Sequence, residues 1–355
     1  MKSPFKFLDS YQAEDYDRFF GRDKEAAQLY NALFASNLTV LYGASGTGKT
    51  SLVRCGLVGR FLDSDWLPLF VRREENINRA LERGVFQALK PGTRERAGDP
   101  GGHPVEEMLS RLYFDFYRPL YLIFDQYEEL YTVGGQAERQ QFYKTIAGVL
   151  SADVQAKVLL VLREEYFGYL NEFEKVVPAI FDNRLRLEKM NDHNLSRVIY
   201  STLKHEGIDI EEPGVTIAAI LNNLRQKNRE IELTDLQVYL DRLFQKADAR
   251  GGDPDYRITF SPELVRSLGR MENVLADFLD EQLEQLEREL KAKGLTQRGL
   301  PNDLLLALIT DEGTRNAETI DRLRRTLAEK KGIAPEYIDF LIRRFFEIRI
   351  LRRKM

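Results

Sequence analysis

Four short apolar runs punctuate the first half of the chain: Leu38–Tyr42, Leu67–Val71, Tyr121–Phe124 and Lys157–Leu162. They are continuous rather than alternating, as expected for strands buried on both faces of a parallel sheet. A shorter run, Arg184–Leu187, reads as a fifth strand. Helical periodicity fills the intervals over Lys24–Phe34, Pro104–Tyr117 and about Ala137–Leu150. Strands alternating with helices predict a parallel α/β sheet. Lys90–His103, with four glycines and two prolines, reads as an exposed loop. Tyr11, Tyr16, Phe19 and Phe20 could staple residues 1–20 onto the core. From Asn191 the pattern becomes helical, with breaks at Glu212-Pro213-Gly214 and Arg250–Pro254. Helices near Asp303–Ile309, Asn316–Lys330 and Pro335–Phe345, then Ile348-Arg349-Ile350-Leu351, have the order of a winged helix.

The first apolar run leads into Gly43-Ala44-Ser45-Gly46-Thr47-Gly48-Lys49-Thr50, a complete GxxxxGK[ST] P-loop, with Ser51 continuing into a helix. Glycines let successive backbone N–H groups face a phosphate chain, and the helix N-terminus adds its positive end. Lys49 is expected to reach the β- and γ-phosphates, and Thr50 to ligate Mg2+. Asp125 closes the run Tyr121–Phe124, where a Walker B carboxylate would complete the metal shell through water. Glu128 is the candidate to polarise an attacking water, with Glu129 its neighbour or substitute. Tyr42 and Tyr127 flank these elements; core packing is the expected role, with base stacking the alternative.

Composition narrows the setting. With 355 residues, 43% hydrophobic and 30% charged, the chain is long enough for two or three globular domains. A net charge of −4 gives no global support to nucleic-acid binding. The single cysteine, Cys55, fits a small core residue better than a redox switch. Three scattered histidines and one cysteine make no zinc site. Neither a membrane-length apolar stretch nor a signal peptide is evident, and a cytoplasmic protein is expected.

The opening Pro4-Phe5-Lys6-Phe7-Leu8, then Tyr16 and Phe20-Gly21-Arg22 with Glu25, resembles the start of a STAND NTPase, a signal-transducing P-loop NTPase of the AAA+-related branch. Leu122–Leu130 and Val161-Leu162-Arg163 resemble the bacterial novel STAND group. Glu232–Leu243 is similar to that family's helical-domain segment and Leu305–Leu351 to its winged helix, so the likeness spans nearly the whole chain. It implies an AAA+-like P-loop domain over 1–190 with a parallel sheet sandwiched by helices. Beyond it would lie a helical domain over 191–260, then a helical linker with a winged-helix-like domain over 261–355.

It further implies that Arg22 contacts phosphates or supports the adenine-side loop, the alternative being a surface arginine at a helix start. Arg163 would act as a γ-phosphate sensor, on a strand lying between the two Walker strands; a structural ion pair with Glu164 or Glu165 is the alternative. Leu233-Thr234 stands where relatives carry a proline near the nucleotide. The β-phosphate-sensing histidine of many eukaryotic relatives has no counterpart, because His103, His193 and His205 all precede the winged helix.

The function implied is an ATP/ADP- and Mg2+-dependent switch that hydrolyses slowly and opens or self-associates in signalling, including bacterial defence or stress. No effector or repeat-built sensor is visible, so the sequence is expected to be either the central switch module of a longer protein or a minimal form that works with partner proteins. Two alternatives stay open. One is an AAA+-like ATPase on nucleic acid, supported by the basic tail Arg343, Arg344, Arg349, Arg352, Arg353 and Lys354. The other is a nucleotide-responsive scaffold with little hydrolysis.

Overall fold

The computed structural model describes residues 3–7, 9–62, 64–225, 230–248, 257–295, 299–308 and 320–347. The chain forms two compact units, residues 1–268 and 269–354.

The first unit is built on a five-stranded parallel sheet in the order β2-β3-β4-β1-β5. A 3-10 turn, Ala13–Arg18, precedes α1 (Asp23–Ala35), β1 (Leu38–Gly43) and α2 (Lys49–Ser51). Helix α2 runs on as a π-helical segment, Leu52–Leu57, and a 3-10 turn, Val58–Arg60. Then come β2 (Leu67–Val71), α3 (Ile77–Ala88), α4 (Pro91–Ala97), α5 (Val105–Phe116) and β3 (Leu120–Asp125). α6 (Glu129–Thr132), α7 (Gln136–Ser151), β4 (Ala156–Arg163), α8 (Asn171–Glu174) and β5 (Arg184–Arg186) complete the nucleotide-motif half.

The continuous apolar runs arise because both faces of the sheet are covered. Leu120, Leu122 and Phe124 of β3 join Val158, Leu160 and Leu162 of β4 on one face, against α3, α5 and α7. Tyr121, Ile123, Leu159 and Val161 point to the other, against α1 and the helix after the P-loop. Burial of this kind stabilises by about 25 cal/mol per Å² of apolar surface.

One sequence expectation fails here. Lys90–His103 is not all loop, since α4 occupies Pro91–Ala97. Pro91 stands in the first turn, where a missing N–H costs nothing, and Asp115 accepts from the Lys90 amide and the Thr93 hydroxyl. Glycine breaks the chain only at the helix's far end, where Gly98 adopts φ +74°.

The remainder of the first unit is mostly helical: α9 (Asp192–His205), β6 (Asp209–Ile210), α10 (Pro213–Leu224), α11 (Leu233–Asp248), β7 (Thr259–Phe260) and α12 (Pro262–Leu268), with β6 and β7 parallel. The aromatic staple expected at the N-terminus is present and reaches further than expected. Phe5 is buried between Phe244 of α11 and Phe260 of β7, at ring-centroid distances of 6.2 and 6.4 Å. The Lys6 amide donates to Gln237 Oε1 at 3.2 Å and the Tyr11 amide to Ser51 Oγ at 3.2 Å. Phe19 and Tyr16 press onto Gly56 and Gly59, where a Cβ would meet their rings at 2.6 and 2.0 Å. One short strap therefore touches both α11 and the helix that carries the P-loop's last residues.

The second unit contains α13 (Met271–Ala292), α14 (Leu300–Ala307), α15 (Ile320–Lys331) and α16 (Pro335–Glu347). They pack around Leu286, Leu290, Leu300, Leu304, Ile338, Leu341 and Phe345. The apolar tail 348–351 and residues 316–319 of the expected Asn316–Lys330 helix lie outside the described residues.

Candidate nucleotide site

The P-loop leaves β1 at Gly43 and enters α2 through Gly48, with Gly46 and Gly48 at φ +73° and +87°. Those left-handed turns demand glycine. Gly43 is needed for another reason: a Cβ there would lie 2.4 Å from the Leu187 carbonyl oxygen just beyond β5. Thr47 is buried and its hydroxyl donates to the Ala44 carbonyl at 3.0 Å, closing the loop on itself.

Lys49 sits at the start of α2, its ammonium donating to the Gly43 and Ala44 carbonyls at 2.7 and 2.9 Å. Burial pulls its pKa below the ordinary lysine value, against the attraction of Glu128. Thr50 donates its hydroxyl to Asp125 Oδ1 at 3.0 Å, so the two Walker elements meet directly. Asp125 is buried at the end of β3, in register with Val161 of β4.

Past Asp125 the chain reverses through Gln126 at φ +60°, and the Tyr127 amide donates to the Val161 carbonyl at 2.9 Å. A non-glycine residue in this region is strained, and the turn delivers Glu128 back toward β4. Glu128 is 7% exposed; its Oε1 lies 3.1 Å from Arg163 Nε and its Oε2 accepts the Arg163 amide at 3.3 Å. Burial raises its carboxyl pKa, while hydrogen bonds from backbone amides and the Arg163 and Lys49 charges pull it back. Glu129 is half-buried at the first position of α6.

Arg163 ends β4 opposite Gly43 of β1, and β4 lies between the two Walker strands as the resemblance implied. Its partner is Glu128, not Glu164 or Glu165; Glu164 binds Arg186 at 2.7 Å. Arg22 is no surface residue. It is 3% exposed and donates to the Thr47 carbonyl at 3.0 Å and the Glu188 carbonyl at 2.8 Å, with Glu25 at 2.7 Å, so it buttresses the P-loop from behind. Ser51, which follows the P-loop, accepts the Tyr11 amide on its hydroxyl oxygen at 3.2 Å.

Tyr127 and Tyr42 pack as expected: Tyr127 is buried edge-on to Tyr131, and Tyr42 lies against Phe167 at 4.2 Å. Cys55 is buried and its thiol is pushed up to about 12, away from thiolate chemistry.

One pair of residues at the site carries no contiguous motif in the sequence. Arg54 and Arg72 both face Asp125 Oδ2, at 3.7 and 3.4 Å. The Glu232–Leu233 segment at the start of α11 lies on the P-loop itself. The Leu233 amide donates to the Gly46 carbonyl at 3.3 Å, and a Cβ on Gly46 would lie 2.8 Å from Glu232 Oε2. A proline at 233 would have no N–H to make this bond. The departure from the family pattern at Leu233-Thr234 thus keeps the segment in contact with the loop.

Among the described residues no group of three or more His, Cys, Asp and Glu side chains could hold a metal, and no helix is long and apolar enough to cross a membrane.

The fold has known counterparts at low identity. The ORC2 protein of Aeropyrum pernix, in ADPNP-ADP complexes, aligns with a TM-score of 0.54 at 16% identity, covering 92% of this chain and 95% of that one. A Walker-type ATPase of Pyrococcus abyssi aligns at 0.52 and 16% identity, over 95% and 91% of the two chains. The Aeropyrum pernix ORC1 protein in complex with DNA aligns at 0.50 and 15%, over 93% and 84%. None of the curated proteins matches. The profile of the Novel STAND NTPase 1 family matches residues 4–354, and the chain, with its P-loop, its Asp125–Glu128 turn and its parallel sheet, belongs to that family of STAND-class P-loop NTPases.

Proposed function

We propose that the chain binds ATP with Mg2+, hydrolyses it slowly, and converts the bound state into the position of the segment that begins α11. The observation that carries this reading is the Leu233 amide on the Gly46 carbonyl at 3.3 Å, with Glu232 beside it, because it ties the phosphate loop to another part of the fold. A carboxylate against the loop repels an incoming triphosphate more than a diphosphate. That difference biases a two-state element.

Gly43 to Ser51 supply the loop and helix start around the phosphates, Lys49 neutralises the β- and γ-phosphates, and Arg22 holds the loop's shape through Thr47. Thr50 and Asp125 fit Mg2+: a hydroxyl and a buried carboxylate oxygen 3.0 Å apart are hard oxygen donors, and Mg2+ ordinarily adds waters and phosphate oxygens to one or two such ligands. When bound, Mg2+ supplies neutralisation of phosphate charge. Glu128 accepts the proton of the attacking water, with Glu129 as alternative, and Arg163 positions Glu128 and senses the γ-phosphate.

In this reading residues 1–190 form the nucleotide-binding domain, 191–260 the helical domain and 261–355 the linker and winged-helix-like domain. Opening leads to self-association or to engagement of effector and sensor proteins in signalling, with bacterial defence one setting. A nucleic-acid role is less well supported: of the basic tail, Arg344 is held by Glu289 through two bonds of 2.8 Å, which lowers that carboxyl's pKa.

Arg163→Ala tests the switch. If Arg163 senses the γ-phosphate, ATP affinity falls about ten-fold or more, the worth of one charge-assisted hydrogen bond, while ADP affinity stays nearly unchanged. Calorimetric titration with both nucleotides reads this, and an equal loss for both would reduce Arg163 to a structural partner of Glu128.

A further inference from the structure

Asp125 has more positive charge around it than the Walker elements require. Its Oδ1 accepts the Thr50 hydroxyl, while Oδ2 faces two guanidiniums, Arg72 Nη2 at 3.4 Å and Arg54 Nε at 3.7 Å. The two cations come from different elements. Arg54 lies in the π-helical continuation of α2, with its guanidinium over the Phe70 ring at 4.5 Å. Arg72 directly succeeds β2, whose last residue Val71 is in register with Phe124, so it lies beside the end of β3. Arg72 Nε is also buried with no hydrogen-bond partner, so this side chain accepts a desolvation cost in order to reach the carboxylate. The carboxylate is itself 4% exposed and cannot turn to solvent for other counter-charge.

The geometry points to a guanidinium clamp on Asp125, in which Arg54 and Arg72 set the metal dependence of nucleotide binding; this rests on the proposed ATP site. The clamp neutralises Asp125 when no divalent cation is present, so the phosphate chain meets Lys49 and two arginines rather than a bare carboxylate. Mg2+ must then compete with both guanidiniums for the same carboxylate. The clamp thereby raises metal-free affinity for a triphosphate and lowers affinity for the metal. Arginine suits the task because it stays charged throughout the working pH range.

The two effects have opposite signs, and a purely structural arginine would not produce that. ATP binding is measured calorimetrically on the full chain in EDTA and at stepped Mg2+, for the parent, Arg72→Gln, Arg72→Lys and Arg54→Gln. In Arg72→Gln, affinity in EDTA is expected to fall about five-fold, and the Mg2+ concentration giving half of the metal-dependent gain is expected to fall about five-fold as well; the figures allow for screening of a partly exposed cation. Arg72→Lys keeps the charge and should return both values toward the parent. Unchanged values, or weakening of both metal-free and metal-dependent binding, would overturn the clamp. Should Arg72→Gln fail to fold, Arg54→Gln is read by the same two numbers. Absence of Mg-ATP binding in the parent would instead remove the proposed function on which the clamp rests.

Discussion

Lys49→Ala is expected to lower affinity for Mg-ATP by about two to four orders of magnitude, the loss of two charge-assisted hydrogen bonds to phosphate at roughly 1.5–3 kcal/mol each. The fold should survive. The Lys49 ammonium donates to the Gly43 and Ala44 carbonyls of its own loop, not to a strand or helix elsewhere in the fold. Burial pulls its pKa down, so keeping the charge opposes folding at neutral pH rather than supporting it. Calorimetric titration gives the affinity and circular dichroism the fold. Parent-like affinity in a folded Lys49→Ala protein would remove the P-loop assignment.

Glu128→Gln should bind ATP as the parent does and lose turnover by about 10²–10⁴-fold, the usual contribution of a positioned general base. The pH profile adds a signature. Burial raises the Glu128 pKa, and the carboxylate is the active form. Turnover should therefore fall as pH drops through a value above the ordinary carboxylate range. Arg163 pulls that pKa down, so Arg163→Ala should move the acid limb to still higher pH. Glu128→Gln should abolish the limb. Surviving turnover in Glu128→Gln alongside its loss in Glu129→Gln would exchange the roles of the two carboxylates.

Features with a local trace were legible in the sequence. Strands β1 to β4 could be read because burial on two faces forces uninterrupted apolar runs, and Gly46 and Gly48 because left-handed turns force glycine; β5 begins and ends on exposed arginines and offers only Leu185 to the core. Helix α4 was hidden by residues with two meanings: proline and glycine mark loops, yet Pro91 is equally at home in a helix's first turn.

The clamp on Asp125 left no contiguous motif. Arg54 is four residues past Thr50, and Arg72 is the residue after β2, so only the strand register and the helix path bring them together. That register was in principle available, since adjacent parallel strands ending together place Arg72 beside Asp125. The Phe5 contacts with Phe244 and Phe260 join residues roughly 240 to 255 positions apart and could not be found by any local pattern, while the family resemblance put Leu233 near the nucleotide without giving its bond to Gly46.

Hydrogen exchange at the start of α11 tests the switch most directly. The Leu233 amide is held by Gly46, and the proposal is that the third phosphate, repelled by Glu232, releases it. Exchange across residues 231–240 is monitored with saturating Mg-ADP and with a saturating non-hydrolysable Mg-ATP analogue. A nucleotide-driven switch predicts protection with ADP and faster exchange with the ATP analogue in this segment, while β3 and β4 stay protected in both. Equal protection of residues 231–240 in the two nucleotide states would contradict it.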